Sequence, residues 1–96
     1  MDSTTKVIQL SGILDSIAGK HLRQEVTDLV DAGVPTILLN CQEVTFMDSS
    51  GLSALVMVLK KVREAGGDLL LCSINHQVRL LLELTGMDGV FEILAS

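Results

Sequence analysis

Val44-Thr-Phe-Met-Asp-Ser-Ser-Gly-Leu-Ser-Ala-Leu55 is the stretch whose reading decides how this chain folds. An apolar approach, Val44 to Met47, runs into the small polar residues Asp48, Ser49 and Ser50, then Gly51, after which the apolar spacing turns helical. That is the pattern of a strand giving way to a helix with its polar side chains at the helix mouth. Asp and Ser suit that place because their side-chain oxygens accept hydrogen bonds from first-turn N–H groups that have no partner inside the helix. A plain helix cap accounts for these residues. So does a functional site, since a serine there is exposed and a negative group placed on Ser50 would sit in a favourable local field. The short motif alone does not separate the two.

Outward from that stretch, the same helix runs from about Gly51 to Ala65. Leu52, Leu55, Val56, Leu59 and Val62 share one face, Lys60, Lys61 and Glu64 lie on the other, and Gly66-Gly67 ends it. Ala54 and Met57 fall well away from the apolar stripe, with Ser53 beside them. Either a neighbouring element covers Met57 or this is a protein-binding face next to Ser50.

Before the motif, Thr36–Cys41 is a short continuous apolar strand of the kind buried in the middle of a parallel sheet. Lys6–Leu10 reads as a first strand ended by Gly12, and Ile13–Ile17 as a loop. A helix follows from about Ala18 to Ala32, with Ala18, Leu22, Val26, Leu29, Val30 and Gly33 on one stripe and Arg23, Gln24, Thr27 and Asp31 off it. After the motif come a strand over Asp68–Ile74, an Asn75-capped helix over His76–Thr85 stopped by Gly86, and a last short strand over Val90–Leu94. Strands and helices thus alternate throughout, which calls for right-handed crossovers. The fold class is α/β, a mostly parallel sheet of about four strands with three or more helices. Residues 1–5 read as a loose N-terminus and residues 6–96 as one domain.

Composition removes several functions. The 96 residues are 48% apolar, enough for one core and too few for a second domain. With no Trp or Tyr and only Phe46 and Phe91, there is no stacking platform for bases, and a net charge of −5 opposes binding to nucleic acid. No apolar run approaches the roughly 20 residues of a membrane span, and no secretion signal is visible, so the chain reads as cytoplasmic. Cys41 and Cys72 each close an expected strand and read as buried free thiols. Neither has a second ligand at metal spacing, and His21 and His76 are isolated, so no metal site is expected. There is no Gly-x-Gly-x-x-Gly or phosphate-binding loop and hence no expected cofactor. Ser49 and Ser50 lack the setting of a hydrolase nucleophile. Asp15 and Asp48 could share the sheet end, but nothing marks them as an acid–base pair. The chain reads as a binding module rather than an enzyme.

From Lys6 to Leu94 the sequence resembles a STAS domain of the anti-sigma factor antagonist family. The resemblance is carried by Leu10-Ser-Gly-Ile-Leu-Asp15, Ile37-Leu-Leu-Asn40, Val44-Thr-Phe-Met-Asp-Ser-Ser-Gly-Leu52, Gly66-Gly67 before Leu69-Leu-Leu-Cys72, and Leu84-Thr-Gly-Met87. It implies that Ser50 is the phosphorylated serine, with Asp15 and Asp48 beside it. It further implies partner switching, in which the unphosphorylated protein binds an anti-sigma factor that is also the serine kinase, and a serine phosphatase reverses the modification. Asp15, Asp48, Ser49, Gly51, Ser53 and Met57 are then the partner-binding residues, with Gly51 admitting a close partner backbone. Other STAS domains are unphosphorylated structural subunits, for example of a lipid-transport ABC transporter or a signalling scaffold, and that is the alternative. Two departures stand out. The family's further N-terminal strand has no counterpart before Lys6, which would leave a sheet edge open to a homodimer. Ile13 also replaces the acidic residue common two places before the loop aspartate.

Overall fold

Three crossovers wind the chain into one sheet. In the computed structural model, which describes residues 4–95, the elements are β1 (Thr5–Leu14), α1 (Ser16–Asp31), β2 (Thr36–Met47), α2 (Ser49–Glu64), β3 (Asp68–Cys72), α3 (His76–Leu84) and β4 (Glu92–Ile93). The sheet order is β1-β2-β3-β4 and every pairing is parallel. Sequential parallel strands joined by right-handed crossovers put all their helices on one face of the sheet. Burial agrees: Ile8, Leu10, Ile37, Leu39, Leu69 and Leu71 are sealed on the helix side, while Val7, Leu38 and Leu70, a row in register across the other face, are only half-buried. Thr36–Cys41 is therefore covered on one face rather than two.

β1 outruns the expectation, and β2 joins the expected Thr36–Cys41 strand to the Val44–Met47 approach in one run. Gly12 does not end β1: at φ +71° it bends the chain, and pairing continues to Leu14. Opposite it, β2 carries an extra residue at two register shifts, one between the partners of Gln9 and Ser11 and one between those of Gly12 and Ile13. Each bulge inserts an unpaired residue and bends the strand. The buried residues of β2 thus fall at Ile37, Leu39, Cys41, Val44 and Met47, spacings of two and then three. Cys41 lies within β2 rather than at its end.

Of the N-terminal residues expected to be loose, 1–3 lie outside the described residues, and Thr5 is already paired with Thr36. β3 stops at Cys72, short of Ile74, and β4 covers only two residues of the expected Val90–Leu94. Phe91 fills the core and Leu94 donates its N–H to the Leu71 carbonyl at 2.8 Å.

The core is aliphatic. Leu22 and Val26 of α1, Leu52, Leu55, Val58, Leu59 and Val62 of α2, and Val78 and Leu82 of α3 close over the sheet, and among the described residues no charged or polar side chain is buried. Each such side chain contributes about 1.5–3 kcal/mol on removal from water. Ala54, expected outside this stripe, is buried as well. It meets α1 at Gly19, where an added Cβ would stand 2.8 Å from the Ala54 Cβ. Two small residues bring α1 and α2 into close contact near their N-termini.

Candidate functional site

The C-terminal ends of β1 and β2 lie side by side because Leu14 and Met47 are register partners. Each strand passes directly into an aspartate and then a helix. Asp15 caps α1, its Oδ1 accepting from the N–H groups of Ile17 at 3.2 Å and Ala18 at 3.0 Å, so Asp15-Ser-Ile17 is a cap and first turn rather than a loop. Asp48 caps α2 through Oδ1, which accepts from the Gly51 N–H at 2.9 Å. The Asp48 N–H in turn donates to the Leu14 carbonyl at 3.2 Å. Two carboxylates are thus fixed at neighbouring helix mouths.

Gly51 faces inward. A Cβ built on it would stand 2.0 Å from the Leu14 carbonyl oxygen, so only glycine lets α2 start against the end of β1. The close approach it permits is to the chain's own backbone, and not to solvent or a partner. With Gly51 anchored, Ser49 and Ser50 stay exposed in the first turn.

Ser50, Ser53, Ala54 and Met57 line one wall of a groove of about 230 Å³ between α2 and α1. The opposite wall is Ser16, Gly19, Lys20 and Arg23. Met57 is 47% exposed, so among the described residues no neighbour seals it. It forms a rim shared with a second, more apolar groove between α2 and the end of α3, lined by Leu52, Val56, Thr85 and Met87. Of the expected site residues, Ser50, Ser53 and Met57 therefore share a surface, Ser49 sits beside it, and Asp15, Asp48 and Gly51 build its frame.

Sequence reasoning missed several contributors. Ile13 and Phe46 are register partners, both exposed at the sheet end that carries Ser50, and Ile17 in the first turn of α1 is 68% exposed. The signal was available in alternation, since a buried Met47 puts Phe46 on the opposite side of the strand. Asn75 caps α3 with Oδ1 and also donates through Nδ2 to the Val44 carbonyl at 3.0 Å, tying the end of β2 in place. Nothing in the spacing announced that second role.

Among the described residues there is no cluster of His, Cys, Asp or Glu able to hold a metal, and no helix long and apolar enough to cross a membrane. Both histidines are exposed, and neither lines the groove that holds Ser50. A singly wound parallel sheet that presents an exposed serine at an aspartate-capped helix mouth defines an α/β domain of one sheet and three helices.

Comparison with known proteins places it. The chain belongs to the STAS domain family, whose sequence profile matches residues 2–96. It is 27% identical over 89 residues to the anti-sigma-B factor antagonist of Bacillus subtilis, covering 93% of this chain and 81% of that one. Its fold superposes on the Thermotoga maritima protein TM1081 with a TM-score of 0.90, at 25% identity, over 100% of this chain and 83% of that one. It also superposes on the anti-sigma factor antagonist SpoIIAA of Bacillus in its unphosphorylated form, with a TM-score of 0.78 at 24% identity, over 100% and 84%. SpoIIAA has been solved in a phosphorylated form too.

Proposed function

We propose that this protein is a cytoplasmic anti-sigma factor antagonist that works by partner switching, with Ser50 as its phosphorylated residue. The observation that carries this reading is the exposed position of Ser50 in the first turn of α2, behind the Asp48 cap. The family and the names of its relatives supply the partner class. Unmodified, the surface around Ser50, Ser53 and Met57 binds an anti-sigma factor that is also a serine kinase, and the sigma factor is released. The kinase then transfers the γ-phosphoryl group of ATP to the Ser50 oxygen, leaving ADP and a proton. A serine phosphatase hydrolyses the ester and restores the binder.

The physics favours a local switch. A phosphoserine brings about −1.5 to −2 charge, and the helix N-terminus favours that charge by roughly 0.3–1 kcal/mol, so α2 does not melt. Binding is lost because charge and bulk appear in the middle of a close contact. Ile13, Ile17 and Phe46 are exposed at the same end of the sheet. On this reading the protein is a phosphorylation substrate and not a catalyst. β1 has its outer edge unpaired among the described residues, which supplies a surface for a second copy.

The test is binding of Ser50→Asp and Ser50→Ala to the cognate anti-sigma factor by calorimetry. Ser50→Ala retains binding and resists phosphorylation; Ser50→Asp loses at least tenfold. Equal binding by Ser50→Asp and wild type rejects the reading. An unmodified protein that co-purifies stoichiometrically with a transporter ATPase identifies the structural-subunit role instead.

A further inference from the structure

Although the chain is acidic, four of its seven Lys and Arg residues converge on the crevice between α1 and α2: Lys20 and Arg23 near its mouth, Lys60 and Lys61 further along. Lys61 is 4.0 Å from Asp31, and Glu64 also lines that far end. Lys20 and Arg23 have no ion-pair partner among the described residues. They face Ser50 and Ser53 across the groove, and Ser16 supplies a further hydroxyl.

The contact of Gly19 with Ala54 holds the walls together at this point, since the ideal Cβ of Gly19 lies only 3.7 Å from the Ser50 carbonyl oxygen. Lys20 is the next residue and Arg23 the next turn of the same face. Two long cationic side chains therefore line the same groove as Ser50, and no carboxylate lines it. The nearest anionic groups by position, Asp15 and Asp48, are engaged as caps on helix N–H groups.

We propose that this groove is the receiving site for the Ser50 phosphoryl group, with Lys20 and Arg23 closing on its oxygens from α1. The inference rests on the partner-switching reading and adds a second half to it. Phosphorylation plants an anion and also neutralises two surface cations, so the groove no longer presents a positive charge to a partner. Hydrogen bonds between ionised groups are the strong kind, and Arg in particular suits phosphate geometry.

The experiment uses the whole chain with phosphoserine placed at position 50 by genetic encoding, so that no kinase is needed. The second pKa of the phosphate is followed by phosphorus NMR at low and high salt. In the wild-type background it lies below the ordinary value of about 6, and Lys20→Gln/Arg23→Gln raises it by roughly half a unit at low salt, an effect that shrinks as screening increases. Lys6→Gln, which removes one charge at the opposite end of the sheet, leaves it unmoved. Each side chain is exposed, and circular dichroism checks that the fold is kept. The proposal is overturned if the double variant titrates like the wild type, or if Lys6→Gln shifts the phosphate as much. Separately, a phosphoprotein that still binds its anti-sigma factor rejects partner switching whatever the titration shows.

Discussion

Gln77, in the first turn of α3, grips the Met47 backbone with both ends of its amide, accepting from the Met47 N–H and donating to the Met47 carbonyl at 2.8 Å each. Met47 is fully buried and immediately precedes the cap of α2, so this side chain fixes the place from which Ser50 is presented. Gln77→Ala leaves two backbone groups to find water in a half-buried setting. The expected loss is about 2 kcal/mol in urea denaturation, with amide shifts in NMR spectra concentrated at Met47–Gly51. An unchanged stability would show that water replaces the amide at no cost.

Glycine substitutions separate two uses of the residue. Gly51→Ala drives a methyl into the Leu14 carbonyl, a backbone group that cannot swing aside as a side chain could, and the expected loss exceeds about 3 kcal/mol. Gly12→Ala meets no atom within 4 Å and incurs only its positive φ, about 1–2 kcal/mol. Thermal melts of the two variants should therefore differ clearly, with Gly51→Ala the lower.

Much of this architecture was legible in the chain. Alternating periodicities gave the element order and parallel class, and Asp48 and Asn75 marked their helices by capping chemistry alone. The continuity of Thr36–Cys41 with Val44–Met47 is not legible because two bulges break the period of two, leaving Val44 and Met47 three residues apart from their predecessors. Ala54 was misplaced because its burial depends on Gly19, a residue of another helix with no side chain to signal the contact. Arg23 lies off the apolar stripe of its helix as expected, but that it lines a groove with Ser50 depends on how α1 meets α2. Which helix face meets which is decided by tertiary packing, not by spacing within either segment.

Asp48 combines a hydrogen bond with a charge, and substitution separates them. Asp48→Ala removes both and should cost about 1–2 kcal/mol. Asp48→Asn keeps an oxygen able to accept from the Gly51 N–H and gives up only the attraction of the carboxylate for the helix N-terminus, roughly 0.5 kcal/mol. The difference between wild type and Asp48→Asn should close as salt is raised, while that between wild type and Asp48→Ala should persist. Chemical denaturation at two ionic strengths reads both outcomes.

Among the described residues Cys41 carries the one large proton-linked effect in the core. Burial first, and the neighbouring Cys72 second, push its thiol from 9.0 up to about 11. Below pH 9 the thiol is protonated whether the chain is folded or not, so its contribution is complete there. Between pH 9 and 11 the unfolded chain ionises and the folded one does not, and stability falls as pH rises. A shift of this size corresponds to about 2–3 kcal/mol lost across that window. Because lysines also titrate there, the informative quantity is the difference between wild type and Cys41→Val, a substitution that keeps a small apolar side chain in the core. That difference should grow against wild type from pH 9 to 11 and stay flat below pH 8.5. Alkylation gives an independent reading: at pH 8 Cys41 should react with iodoacetamide at the rate of global unfolding, since a buried thiol held protonated offers no thiolate to attack. Rapid labelling of Cys41 in the folded protein would show that the strand opens locally, and would remove the basis for the steep alkaline loss.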